Sequence, residues 1–133
     1  MCIRDSLKGA AKTIYEANYF GSACGKVCPT EVLCEGACVY NHQDVPPIDI
    51  GRLQNFASQT AIKQKTKLFE AGKSNGKKVA IIGAGPAGIS CACELRSLGY
   101  KVNIYEAKEL PGGLNTYGAV SYTHLTLPTI CSV

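Results

Sequence analysis

The first half of the chain places apolar and polar residues at the spacing of helices. Leu7 to Asn18 is rich in helix formers, and its apolar positions recur at helical intervals, which predicts a helix. Pro46-Pro47 interrupts the pattern, and a second helix is predicted from about Gly51 to Phe69. Between the two helices, four cysteines form what we expect to be a compact loop, from Cys24 to Cys38.

The second half of the chain changes to short apolar runs. Val79–Ile82 and Val102–Tyr105 are typical of buried strands, and Pro86–Leu98 has the signals of a helix that ends at Gly99. The predicted order of strand, helix and strand is the unit that opens a Rossmann-like domain. A Gly-, Ser- and Asn-rich stretch precedes it, so we expect a linker over residues 72–77.

The two ends of the chain resemble adapter DNA. If residues 1–5 are written as ATG TGT ATA AGA GAC, the opposite strand reads GTC TCT TAT ACA CAT, which encodes residues 120–124. One DNA element in inverted orientation would therefore flank the insert, and it resembles the terminal repeat that a transposase adds during library preparation. We expect residues 1–6 and 120–133 to be adapter-derived and exclude them from fold prediction.

Composition and charge exclude several classes of function. The formal net charge is +4, but the basic residues gather between Lys63 and Lys78 without interleaved aromatics, which indicates a solvated helix end and not a nucleic-acid surface. No apolar stretch approaches the roughly 20 residues of a membrane span. With no secretory signal, the cysteines favour a metal site in a cytoplasmic protein over a disulfide framework.

A glycine motif follows the first predicted strand directly and opens the predicted helix. Gly83 permits a tight turn, Gly85 lets the backbone approach a pyrophosphate, and Gly88 lets helix and strand pack closely. The helix N-terminus offers unpaired amides to the phosphates. Glu106, at the end of the second predicted strand, can accept hydrogen bonds from ribose hydroxyls. The sequence therefore predicts a dinucleotide site.

A second glycine pair favours FAD over NAD as the dinucleotide. Gly112-Gly113 follows Glu106 closely, and a Glu followed by Gly-Gly at this distance resembles the FAD domains of the flavoprotein disulfide reductases. The nicotinamide would then bind in a second domain outside this chain. The predicted cofactor-binding residues are Gly83, Ala84, Gly85, Pro86, Ala87, Gly88, Glu106, Gly112, Gly113 and Leu114.

Cysteines form two groups with different predictions. Cys24, Cys28, Cys34 and Cys38 have spacers of three, five and three residues, unlike the two close pairs of most zinc sites, and Cys28-Pro29 is typical of bacterial ferredoxins. An iron–sulfur site is favoured, and zinc remains the alternative. Cys91 and Cys93 lie two apart on a predicted helix and face different directions, so we expect buried packing and no mutual disulfide.

Taken together, these motifs resemble the N-terminal region of the dihydropyrimidine dehydrogenase family, above all its bacterial NAD-dependent, FAD-carrying subunit. CGKVCPTEVLCEGAC, PIDIGRLQNFA, KKVAIIGAGPAGISCACELRSLGYKVNIYEA and PGGL carry the resemblance, from about Leu7 to Ala119. Glutamate synthase small subunits share the architecture. The resemblance implies an α+β fragment: a partial α-helical ferredoxin domain over 7–71, the linker, and over 78–119 the first βαβ unit of a Rossmann-like FAD domain.

The same resemblance implies metal ligands and a function. Cys28, Cys34 and Gln54 would bind one 4Fe-4S cluster and Cys38 another, whereas Cys24 would be only a neighbour. The glutamate synthase branch resembles this pattern but carries Glu at the position of Gln54. The glutamine in this chain therefore favours the pyrimidine branch. The remaining ligands would precede Leu7, and we expect the isolated chain to turn over no nucleotide.

The implied parent protein is an oxidoreductase in which NAD(P)H reduces FAD. Electrons then pass through the clusters to a catalytic subunit or fused domain, where uracil or thymine is reduced. The parent would be a cytoplasmic hetero-oligomer with no nucleic-acid or membrane partner, and no residue of this chain is predicted to be catalytic. The alternatives are the electron-input subunit of glutamate synthase and a zinc-binding interaction module.

Overall fold

The computed structural model describes residues 6–118, which form two compact units that divide between Gln64 and Lys65. Apart from Ser6, the predicted adapter segments therefore lie outside the described residues. Among the described residues, no helix combines the length and apolar character that spanning a membrane requires. The elements in chain order are helices α1 (Leu7–Ala17) and α2 (Gly21–Val27), a 3-10 helix (Val39–His42), α3 (Ile50–Lys63), strand β1 (Lys78–Ile82), α4 (Pro86–Ser97), β2 (Lys101–Tyr105) and α5 (Leu114–Tyr117).

Helix α1 confirms the first helical prediction. The Ser6 hydroxyl oxygen accepts a hydrogen bond from the Gly9 amide at 3.1 Å, which satisfies one of the unpaired amides at the helix start. The apolar face of α1 packs against α3 and buries Ala11 and Tyr15. On the α3 side, Ala57 and Ala61 are buried, so the small core of this unit consists largely of short side chains.

The cysteine segment begins as a helix, which the sequence analysis did not predict. Cys24 lies inside α2, and only Cys28 and the cysteines after it lie in irregular or 3-10 structure. Helix α2 packs on α3 at close backbone distance. A Cβ atom added to Gly25 would lie 2.6 Å from the Gly51 carbonyl oxygen, so this crossing requires a glycine.

Helix α3 ends earlier than predicted. It stops at Lys63 and not near Phe69, and Lys65 adopts a left-handed backbone with φ of 48°. A left-handed residue just after the last turn closes a helix, because it bends the chain away from the helical path. Lysine carries no turn signal of its own, which is why the apolar pattern alone overextended the helix.

The second unit confirms the predicted strand–helix–strand order. β1 and β2 pair in parallel, with Val79 opposite Val102 and Ile81 opposite Ile104. Helix α4 connects them and is closed by Gly99, whose φ is 86°. The partial α+β architecture expected from the sequence is therefore present.

The predicted linker is held by the end of α4. The Gly72 amide donates to the Arg96 carbonyl at 3.1 Å, and the Asn75 amide donates to the Gly99 carbonyl at 3.0 Å. The Gly99 carbonyl lies beyond the end of α4, and the Arg96 carbonyl also accepts a hydrogen bond from the Gly99 amide at 3.1 Å. Whether residues 72–77 separate two domains in the sense predicted stays a prediction.

The two cysteines of α4 differ in exposure. Cys93 is fully buried, as expected. The expectation that Cys91 is buried is wrong, since this thiol is exposed and free. Two residues on a helix are separated by about 200° around its axis, so only one of them can face the core.

The α2–α3 crossing yields a stability prediction with an internal control. We expect Gly25→Ala to lower the free energy of unfolding by roughly 1–3 kcal/mol, because the added methyl group meets backbone that cannot move aside. Gly9→Ala, where the methyl group meets only Ser6 at 3.5 Å, should instead be neutral or raise stability by up to about 1 kcal/mol. Thermal and denaturant unfolding measure both, and a Gly25→Ala protein as stable as the Gly9→Ala protein would contradict the packing argument.

Candidate functional site

The first glycine turn connects β1 to α4 and leaves open space in front of it. Gly83 has a φ of 94°, a conformation that disfavours other residues. A Cβ atom added to Gly83 or Gly85 would meet no atom within 4 Å, whereas one added to Gly88 would collide with the Gly83 carbonyl oxygen. The first two glycines thus leave room for a ligand, and the third allows the helix to pack against the turn.

The start of α4 faces this turn with unpaired backbone donors. Gly85 is the N-cap and Pro86 occupies the first helical position, where its missing N–H costs no helical hydrogen bond. The amides of Ala87 and Gly88 lie in the first turn and have no carbonyl within the helix to bind. Together with the helix dipole, these amides favour an anionic group such as a phosphate.

Glu106 follows the last residue of β2 and is anchored by two backbone amides. Its Oε2 atom accepts a hydrogen bond from the Ala84 amide at 2.7 Å, and its Oε1 atom accepts one from the Lys108 amide at 2.9 Å. These bonds, with Lys108 contributing most and Ala84 next, lower the pKa of the Glu106 carboxyl. An ionised carboxylate offers about four acceptor positions, so Glu106 retains capacity for ribose hydroxyls.

The second glycine loop lies directly on the first. The Gly112 amide donates to the Ala84 carbonyl at 2.7 Å, and a Cβ atom added to Gly113 would lie 3.0 Å from the Gly85 Cα atom. Both glycines have positive φ, 112° and 55°. The structure therefore brings the two predicted glycine motifs and Glu106 together around one residue, Ala84, although their binding of a nucleotide stays a prediction.

Four cysteine thiols of the first unit occupy different local structures. Cys24 lies in α2, Cys28 caps its end, Cys34 is exposed in the following turns, and Cys38 precedes the 3-10 helix. Burial raises the pKa of the Cys28 thiol. Its neighbour Cys24 raises it further, both through its charge and through a hydrogen bond, and the charge of Cys34 adds a smaller effect. Cys28 is therefore close enough to both Cys24 and Cys34 to interact with each of them.

The predicted ligand set is only partly assembled. Within residues 6–118, no three side chains of His, Cys, Asp or Glu come together in a group that could hold a metal ion. Gln54 lies at the α2–α3 crossing, where its Nε2 atom is 3.1 Å from the position that a Cβ atom on Gly21 would occupy. The donor chemistry of thiols near one another suits an iron–sulfur cluster, and the assignment of Cys28, Cys34, Cys38 and Gln54 stays a prediction.

Two polar residues that sequence reasoning missed hold the cysteine segment in place. The Glu35 carboxylate accepts a hydrogen bond from the Gly51 amide at 2.9 Å, which pins the segment to the start of α3, three residues before Gln54. The Asn41 side chain donates to the carbonyls of Glu35 and Gly36 at 2.8 and 2.9 Å. Glu35 lies between two cysteines in the sequence, but its partner is 16 residues away, so no local signal indicated it.

A third missed residue contacts a thiol directly. The Asn18 side-chain amide donates to the Cys24 sulfur at 3.2 Å, while its Oδ1 atom accepts a hydrogen bond from the Phe20 amide at 2.9 Å. Asn18 also ends α1. One side chain thus fixes the turn between α1 and α2 and orients the first cysteine.

The lowered pKa of Glu106 predicts how stability depends on pH. The unfolded chain, with a glutamate pKa near 4.5, binds the proton before the folded protein does. The contribution of Glu106 is therefore complete above about pH 4.5 and is lost as the pH falls through the lower, folded-state pKa. We expect the difference in melting temperature between the wild type and Glu106→Gln to shrink on acidification through this range.

The matched control for this titration is Glu109→Gln, which removes an exposed carboxylate nearby in the sequence. The difference in melting temperature between Glu109→Gln and the wild type should change less with pH than the difference for Glu106→Gln. The reason is that the amides of Ala84 and Lys108 bind Glu106 and not Glu109. Thermal unfolding of the nucleotide-free protein between about pH 3 and 7 measures both variants. If the melting temperatures of the wild type and Glu106→Gln changed with pH in parallel, the stabilising role of the ionised Glu106 carboxylate would be contradicted.

Comparison with known families matches each half of the chain separately. Residues 2–66 match the family described as dihydropyrimidine dehydrogenase domain II, 4Fe-4S cluster. Residues 81–126 match the family described as NAD(P)-binding Rossmann-like domain. The first match covers all four cysteines of the cysteine segment and Gln54, and the second covers both glycine motifs.

Curated relatives match across both halves at once. The NAD-dependent dihydropyrimidine dehydrogenase subunit PreT homolog of Salmonella typhi is 44% identical over 117 residues, which are 88% of this chain and 28% of the relative. PreT of Escherichia coli K12 is 46% identical over 108 residues, 81% of this chain and 26% of the relative. The glutamate synthase [NADPH] small chain of Azospirillum brasilense is 38% identical over 117 residues, 84% of this chain and 23% of the relative. The chain spans about a quarter of the length of these relatives.

Proposed function

Because the chain belongs to the oxidoreductase family of the NAD-dependent dihydropyrimidine dehydrogenase subunits and the related glutamate synthase small chains, we propose that it is part of an electron-transfer subunit. In that subunit, NAD(P)H reduces FAD, and 4Fe-4S clusters carry the electrons onward. The chain contributes FAD-binding and cluster-binding residues and no acid–base catalyst.

The observation that carries the FAD assignment is the second glycine loop resting on the first. The hydrogen bond from Gly112 to Ala84 and the close approach of Gly113 to Gly85 place a second backbone segment beside the phosphate turn. The matched family is described as NAD(P)-binding, and a plain NAD domain needs only the first turn and the acidic residue. A second loop at the same turn supports the larger flavin nucleotide.

The residues of the turn have distinct tasks in this proposal. Gly83 and Gly85 admit the pyrophosphate, the amides of Ala87 and Gly88 bind it, and Glu106 accepts hydrogen bonds from the ribose. A bound flavin supplies the exchange between hydride transfer and single-electron transfer. The protein's part is to hold the nucleotide in one orientation, since the chemistry belongs to the cofactor.

For the clusters, the cysteine segment provides three of the four donors that we propose in this chain. Cys28 and Cys34 would bind one cluster with Gln54, and Cys38 would bind another, which accords with the 4Fe-4S family matched over residues 2–66. Thiolates are the usual ligands of such clusters, and an amide oxygen is a weaker, neutral donor that should change the cluster's potential.

The substrate follows from the names of the relatives and from Gln54. Two of them are subunits of dihydropyrimidine dehydrogenase, so we propose a partner subunit or fused domain that reduces uracil or thymine. The 38% identity to a glutamate synthase small chain supports electron input to glutamate synthase as the second candidate. This chain has Gln54 at a position where the glutamate synthase branch resembles it except for carrying Glu. Gln54 therefore favours the first candidate.

Cofactor analysis of the full-length protein tests the proposal. Purified without oxygen, it should carry FAD that acid treatment releases, together with iron and acid-labile sulfide. Cys28→Ser should lose iron while keeping FAD, because it removes a cluster ligand in the first unit only. Cys91→Ser, which alters an exposed thiol on α4, should keep both cofactors. A colourless protein that contains zinc would refute the proposal.

Steady-state assays with the partner separate the two candidate branches. We expect NADH- or NADPH-dependent reduction of uracil by the full-length protein and its partner, because a glutamine at position 54 resembles the pyrimidine branch. Product formation is followed by the loss of uracil absorbance. Glutamate formation from oxoglutarate and glutamine, without uracil reduction, would assign the protein to the second branch.

A further inference from the structure

Beyond the residues that would touch a nucleotide, a side-chain clamp holds the second glycine loop. The loop runs from the end of β2 to Gly113 and returns to the first glycine turn. Three of its residues contact side chains of the short helix α5. These contacts involve Tyr117 and Thr116, neither of which belongs to a glycine motif or to the predicted site.

Tyr117 makes two of these contacts. Its hydroxyl oxygen accepts a hydrogen bond from the Leu110 amide at 2.8 Å, and its ring lies beneath the Lys108 ammonium group, 4.5 Å from nitrogen to ring centroid. A cation at this distance from an aromatic face is attracted by the ring electrons. The same side chain therefore holds the loop at two points.

Thr116 adds a third point. Its hydroxyl donates to the Pro111 carbonyl at 2.6 Å, immediately before Gly112. Gly112 and Gly113 both have positive φ and no side chains to fix them, so their path depends on what holds the residues on either side. Leu110 is 54% exposed, and its apolar side chain is therefore a weak anchor for the loop.

We infer that Tyr117 is a positioning residue for the nucleotide site: its hydroxyl and ring hold residues 108–113 in the conformation that places Gly112-Gly113 on the phosphate turn. The inference rests on the proposed function, because it assigns Tyr117 a part in holding FAD. A loop that is already ordered loses less conformational freedom when the ligand binds, and affinity rises accordingly.

The decisive variant is Tyr117→Phe, which removes the hydroxyl and keeps the ring over which Lys108 lies. In the full-length protein, we expect FAD to dissociate roughly 2- to 10-fold faster, the range that one lost hydrogen bond gives. Lys108→Gln, which removes the cation and keeps the hydroxyl contact, should accelerate dissociation by about 2- to 5-fold. The rise of flavin fluorescence on release measures both rates.

A second readout does not depend on flavin. In Tyr117→Phe, the Leu110 amide loses its acceptor, so hydrogen–deuterium exchange of the peptide containing residues 108–113 should become faster, while exchange in β1 stays unchanged. Tyr100→Phe is the control, because the Tyr100 hydroxyl has no hydrogen-bond partner among the described residues. It should change neither the dissociation rate nor the exchange.

The outcomes separate this inference from the proposed function. If the wild-type protein carries FAD and Tyr117→Phe releases it at the wild-type rate, the inference is overturned and the proposed function stands. Wild-type exchange at residues 108–113 in Tyr117→Phe would also overturn the inference. If the wild-type protein carries no flavin, the proposed function fails and the inferred role in FAD binding fails with it.

Discussion

The proposed nucleotide site depends on two hydrogen bonds made by the backbone of Ala84. Its amide donates to Glu106 and its carbonyl accepts from Gly112, so one residue between two glycines joins the first turn, the end of β2 and the second loop. Neither bond uses the Ala84 side chain. The site is therefore built from backbone geometry, and its sequence requirements fall on the residues that allow that geometry.

This dependence explains why the glycines of the two motifs are not equivalent. Gly88 is required by packing, since any side chain there would collide with the Gly83 carbonyl. Gly83 and Gly85 meet no such obstacle. Gly83 is favoured by its positive φ of 94°, whereas at Gly85 the lack of a side chain matters only for the space in front of the turn. Glu106 then combines two tasks, because the carboxylate that can bind a ribose also fixes the turn. A change at Glu106 is therefore expected to act on the fold of the site as well as on the ligand.

The sequence predicted those features that are determined by residues close together in the chain. The strand–helix–strand unit, the end of α4 at Gly99 and helix α1 all depend on residues within a few positions of each other, and each was predicted, although the Ser6 cap of α1 was not. Helix α2 was missed because its glycine-rich sequence has low helix propensity and is stabilised by packing on α3. The hydrogen bonds from the Gly51 amide to Glu35 and from the Leu110 amide to Tyr117 join residues whose spacing carries no motif.

The glycine turn is assembled by the protein alone, whereas the predicted metal ligands are only partly assembled. The charge of the groups that would bind each ligand explains this difference. At the proposed nucleotide site, the ligand would be an anion and the protein supplies neutral amides, which can be preorganised without repelling one another. At the cysteine segment, the ligands would themselves be anions. Burial and the neighbouring Cys24 and Cys34 raise the pKa of Cys28, so bringing the thiolates together without a cation is unfavourable. Binding of a metal removes those protons and supplies the opposing charge, so the final arrangement of such ligands forms together with the cluster. Preorganisation is thus expected of the glycine turn and not of the thiols, even though both are encoded by equally distinct motifs in the sequence.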